Sequence, residues 1–167
     1  MQNQNKNQAT NMGDMRKATE LYETIYKEIS SKLDELVEIQ KSFPVKISKD
    51  ISYENLILQA ASCKHRALAL SRDCLAVTAS ANIDLKYWQS YVLLDKSDEL
   101  LRDKGFDKFT DTLRQAAMAN NEYLREFAKV EAKLNGLEET STRLFKAFES
   151  DEINFRKMYD KHEYKGL

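Results

Sequence analysis

Residues 106–148, FDKFTDTLRQAAMANNEYLREFAKVEAKLNGLEETSTRLFKAF, decide the fold. Apolar-leaning positions recur there in alternating steps of three and four: Phe106, Phe109, Leu113, Ala116, Asn120, Tyr123, Phe127, Val130, Leu134, Leu137, Ser141, Leu144 and Phe148. A strand returns to one face every second residue and a helix about every 3.6, so this spacing predicts a long helix with one buried stripe. Sustained over this length it has the form of a coiled-coil or bundle seam. Leu124 and Phe145 widen the stripe, which favours a bundle of three or more helices over a two-stranded coil.

The rest of the chain agrees. One Pro, four Gly and 32% charged residues in 167 leave little turn punctuation, so helix should dominate. Residues 1–12, MQNQNKNQATNM, lack apolar side chains in any periodic order and are expected to form a disordered polar tail ahead of a single helical domain over 13–167. Asp14 can cap a first helix, 14–43, with Ala18, Tyr22, Ile25, Ile29, Leu36, Ile39 and Phe43 on one stripe; Lys32 interrupts it and Leu33 stands beside the gap. Pro44 ends that helix, residues 44–51 link, and Asp50 or Ser52 caps the next.

A second helix, 52–81, carries Tyr53, Leu56, Ala60, Cys63, Ala67, Leu70, Cys74, Val77 and Ala81 at heptad spacing. Small side chains in such a seam let helix axes approach closely, so this helix should be central. The pattern loses phase over Ala79–Asp84, which predicts a break and a shorter third helix, 84–104, closed by Gly105. A fourth, 107–149, follows, with a terminal piece at 151–162. Asn135-Gly136 is a turn signal, yet Leu134 and Leu137 stay in phase across it, so the helix is expected to continue. The fold class expected is therefore all-α, an elongated helical bundle or coiled coil of about four long helices.

Composition narrows the function classes. Basic residues number 26 and acidic 27, and the balance holds locally: eight of each in 1–50, seven of each in 51–105, and eleven against twelve in 106–167. Nucleic-acid and anionic-membrane binders concentrate positive charge, and this chain does not. No apolar run approaches the roughly 18 residues of a membrane span, and the amide-rich start is unlike a signal peptide. Two cysteines, Cys63 and Cys74, suit a reducing compartment as small buried hydrophobes, and the protein is expected to be cytoplasmic, in a cell or in a virus-infected one.

Chemistry-bearing motifs are sparse. Cys63 and His65 are about 200° apart around a helix, so with Cys74 they make a poor metal set. Glu20 with Glu23, Glu35 with Glu38, and Asp95 with Asp98 lie one turn apart and could share a cation, as in magnesium-dependent helical hydrolases. Basic neighbours such as Lys17, Lys41, Lys96 and Arg102 are at hand to neutralise them, and solvated faces are the expectation. Neither a phosphate-binding Gly-rich loop nor a Glu-x-x-His pair is present, so no enzyme activity and no cofactor is expected.

One electrostatic irregularity remains. Between Glu54 and Asp73 there is no acid, and Lys64, His65, Arg66 and Arg72 fall there, with Tyr87, Trp88 and Tyr91 further on. Basic residues beside stacking aromatics are the general recipe for single-strand binding, although Trp88, spaced with Leu85 and Val92, is better placed for the core. Leu85-Lys86-Tyr87-Trp88 and Gly105-Phe106 resemble segments of the phage recombination mediators, which load a recombinase onto single-stranded DNA. The resemblance covers about a quarter of the chain, and the long C-terminal heptad helix departs from that pattern. It implies nucleic-acid contact, with Lys64 and Arg66 matching a basic pair.

The leading expectation is a non-enzymatic assembly, scaffold or adaptor protein that self-associates or takes a partner helix. Its assembly interface is expected at Leu113, Asn120, Tyr123, Phe127, Val130, Leu134, Leu144 and Phe148, with Asn120 either fixing register or sitting where the seam opens to water. The alternative is an oligomeric nucleic-acid-binding accessory protein, concerned with recombination or packaging, that uses Lys64, Arg66 and Arg72.

Overall fold

The computed structural model describes residues 2–44, 52–98 and 110–163, with side chains over 12–44, 52–96 and 110–161. Four helices make up the described chain: α1 (Gln2–Ser42), α2 (Tyr53–Asp98), α3 (Asp111–Asn120) and α4 (Glu122–Glu163). No strand occurs among the described residues, and the protein is an all-α helical bundle. No described helix is long and apolar enough to cross a membrane.

Several boundaries differ from those expected of the sequence. α1 begins at Gln2, so residues 2–12 are helical where a disordered tail was expected. The segment has no Pro, and Gly13 meets nothing within 4 Å, so helix extends through it at the cost of about 1 kcal/mol for the glycine. The predicted break over Ala79–Asp84 is absent, and α2 runs unbroken to Asp98. Buried positions in α2 step by three from Ala67 to Leu70, by four to Cys74, by four again to Thr78, then by three to Ala81. Two successive steps of four restore the phase of a helix that turns every 3.6 residues against a 3.5-residue repeat, so the apparent loss of pattern is a stutter within one helix.

The single helix expected over 107–149 is interrupted at Asn121, where the stripe gives no sign of a break. Asn121 accepts a hydrogen bond from the Leu124 amide at 2.9 Å and so caps α4, while its own amide reaches the Met118 carbonyl and closes α3. From there α4 passes through Asn135-Gly136 without a break and on through Ser150, where a restart had been expected. A second stutter, Leu144 to Phe148 to Glu152, carries its stripe to Phe155. Ser52 caps α2 through the Asn55 amide at 3.3 Å. The expected Gly105 cap, the seam positions Phe106 and Phe109, and most of the 44–51 linker fall outside the described residues.

The contacts divide into two compact units, Met1–Tyr26 with Val77–Leu134 and Lys27–Ala76 with Asn135–Leu167. In the first, Met15, Tyr22, Ala81, Trp88, Val92, Leu124 and Phe127 are core. The Tyr22 ring meets Phe127 edge-on at 5.6 Å, and its hydroxyl donates to Asp84 at 2.7 Å. Burial, with that carboxylate beside it, pushes the Tyr22 phenol up to about 12. In the second unit, Leu33, Leu36, Ala60, Ala67, Cys74, Leu134's successor Leu137 and Phe148 are buried. Phe43 meets Phe148 at 5.9 Å and Phe155 at 5.4 Å, both edge-on. Lys32 faces outward and Leu33 takes its place in the stripe.

Candidate docking surface on the second helix

At 100° per residue, the buried positions Thr78, Ala81, Trp88 and Val92 of α2 lie roughly opposite Ile83, Tyr87, Ser90 and Leu94. Those outward side chains are bare: Ile83 is 69% exposed, Tyr87 59% and Leu94 70%, with Ser80 and Ser90 also exposed. Ser80, Ile83, Tyr87, Ser90 and Leu94 are spaced three, four, three and four, which is seam spacing on a face turned to solvent. None carries a charge. In the twenty residues Leu75–Leu94 the charged side chains are Asp84, which Tyr22 engages, and Lys86.

The outward face of α4 in the same unit shows what an ordinary solvated surface looks like here. Arg125, Glu126, Lys129 and Lys133 are exposed there, with Lys129 bonding Glu126 at 2.7 Å. Scattered exposed apolar residues are normal on a protein surface. An uncharged row at seam spacing, on a helix apolar on its buried face as well, is the pattern of a helix enclosed on both sides. The aromatic expectation also resolves here. Trp88 is core, 4.9 Å from the exposed Tyr87 ring and 6.3 Å from Tyr91, all edge-on.

The residues expected to form an assembly interface lie elsewhere. Phe127, Val130 and Leu134 are buried within the first unit, and Leu144 and Phe148 within the second, by contacts of the chain with itself. Leu113 is half-buried, Tyr123 is 40% exposed and Asn120 is exposed. The stripe enters α4 at Leu124 rather than Tyr123, because the break at Asn121 resets its phase. Asn120, the last residue of α3, is exposed.

The expected basic patch is engaged internally. Lys64 and Arg156 donate to the two oxygens of Glu152, at 2.5 and 2.7 Å, and the Glu152 side chain keeps 9% of its exposure. The Lys64 hydrogen bond is the main cause that holds the Glu152 carboxyl below its usual 4.5, against the opposing pull of desolvation. Arg66 reaches Glu35 at 3.4 Å, and Arg72 is exposed. His65 is exposed while Cys63 and Cys74 are buried, and burial pushes both thiols up, away from the thiolate form that binds metals or attacks electrophiles.

Two of the carboxylate pairs considered as cation sites, Glu20 with Glu23 and Glu35 with Glu38, have basic partners, and the Asp98 side chain of the third lies outside the described residues. Arg16 binds Glu20 at 3.0 Å, Lys133 lies 4.0 Å from Glu23, and Lys41 binds Glu38 at 2.7 Å. An open groove of about 240 Å³ gathers Glu20, Glu23, Glu122 and Glu126 around Tyr123. Cations already sit on three of those four carboxylates, from Arg16, Lys133 and Lys129. Among the described residues no group of three or more His, Cys, Asp or Glu is placed to hold a metal ion.

Periodicity pointed to the stripes that close the chain on itself and missed Ile83, Tyr87 and Leu94. The signal was present as the low charge of Leu75–Leu94, hidden because the stutter made that region look like a helix end. No family model, curated protein or solved structure matches the chain.

Proposed function

We propose that the protein is a non-enzymatic helical assembly protein, a scaffold or adaptor that self-associates through helix contacts. The uncharged outward row of α2 carries this proposal. Covering it removes apolar area from water at about 25 cal/mol per Å² and desolvates no charge along its centre. The chain's own seams are occupied, so association falls to an outward face. Oligonucleotide binding through Lys64, Arg66 and Arg72 has less support, since Glu152 and Glu35 already neutralise the first two.

Light scattering over a concentration series tests the proposal. The expected result is a mass that rises above the 19.4 kDa of one chain as concentration increases, and that holds as salt is raised, because the contact is apolar. A mass fixed at one chain up to about 1 mM, a concentration at which even millimolar affinities show, would overturn it. Binding to an oligonucleotide that weakens steeply with salt would favour the basic-patch alternative.

A further inference from the structure

We infer that the occupant of the α2 row is a second copy of this chain, with the two α2 helices antiparallel about a two-fold axis between Tyr87 and Ser90. This rests on the self-association proposed above and specifies its surface and geometry. The order of side-chain sizes along the row leads to it. Reversed and laid against itself, the row sets Ile83 opposite Leu94 of the second copy and Tyr87 opposite Ser90 of the second copy. Large then meets small at the centre and aliphatic meets aliphatic at both ends, and the two-fold makes every contact occur twice. A parallel pairing would set Tyr87 against Tyr87 and Ser90 against Ser90, crowding one layer and leaving the next thin.

Charge does not select the antiparallel register, but it permits it. Lys86, on one rim, falls nearest Leu93 of the second copy, about 7 Å along the axis from the opposing Lys86. Asp84, on the other rim, falls nearest Tyr91 of the second copy. No like charges are brought face to face.

Size sets the strength. The row runs roughly 20 Å along a helix about 10 Å across, which gives a contact of a few hundred Å² per copy. Specific interfaces usually bury about 800 Å² per partner, so the dimer should be weak and concentration-dependent.

Two sets of variants test the inference, and all of them change exposed side chains that the fold does not need. Replacing both Ile83→Lys and Leu94→Lys should raise the dissociation constant at least tenfold while the helical circular dichroism stays unchanged. Ile83→Cys and Leu94→Cys should form a disulfide-linked dimer when mixed under oxidation. Each alone should link poorly, because like positions stand 11 residues, about 16 Å, apart and a disulfide needs Cα atoms within about 7 Å. Cys63 and Cys74 are buried and stay out of the exchange. Linking of each variant with itself but not across the mixture would overturn the antiparallel register. A lysine pair that associates as well as the wild-type chain would overturn the surface while self-association itself survives. A wild-type chain that is monomeric throughout would overturn both.

Discussion

Single side chains in this bundle differ in whether their polar atoms found partners. Glu152 did, and the sign of its pH dependence follows. Unfolded, it titrates near its ordinary 4.5; folded, Lys64 and then Arg156 hold it lower. Its contribution is therefore complete above the unfolded value and lost as pH falls through 4.5 toward the folded value. Glu152→Gln should cost about 2 kcal/mol at pH 7 by removing the charge that faces the half-buried Lys64, and should flatten the fall in stability expected in urea melts as the pH drops through 4.5. Asp151 beside it acts in the opposite sense, because burial pushes its carboxyl up despite the Gln40 hydrogen bond. Thr78 found no partner: its hydroxyl is buried without one among the described residues. Thr78→Val keeps the shape and removes the unpaired group, so the urea midpoint should rise by an amount equivalent to about 1 kcal/mol; a fall would show that the hydroxyl is satisfied.

Helices here are long because little stops them. Gly136 sits exposed in α4 with nothing within 4 Å of where a Cβ would be. Gly136→Ala should stabilise the protein by about 1 kcal/mol, read as a higher melting temperature, and a loss would mean the helix is not continuous there. Asn121 shows the converse, since one capping side chain suffices to divide α3 from α4. Asn121→Ala should cost about 1 kcal/mol. The stripes Phe127–Phe148 and Leu56–Cys74 were legible in the sequence, residue by residue, because burial on one face imposes a period that local spacing reveals. The α2 stutter and the Asn121 cap were not, because a phase shift and a helix end look alike until backbone hydrogen bonds are seen.

Taken as a molecule, the chain divides into two units that share three of its helices, since α1, α2 and α4 each contribute residues to both. Melting either unit would remove helix from the ends of elements that the other needs. Urea unfolding followed by Trp88 fluorescence, which reports the first unit, and by far-ultraviolet circular dichroism, which reports both, should give coincident transitions. Separate midpoints would show that the units melt independently. Phe127→Ala, at 1% exposure, should lower the stability seen by both probes by about 3–5 kcal/mol.

The sequence by itself determined that this protein is helical and which faces of its helices are apolar, since composition and periodicity are local properties of the chain. Tertiary structure alone decided which of those faces the chain uses up. Phe127, Val130 and Phe148 close on the chain's own helices, Lys64 and Arg66 close on its own acids, and Ile83, Tyr87 and Leu94 are left outward. A heptad states that a face wants a partner, and its partner is fixed only when residues far apart in sequence meet.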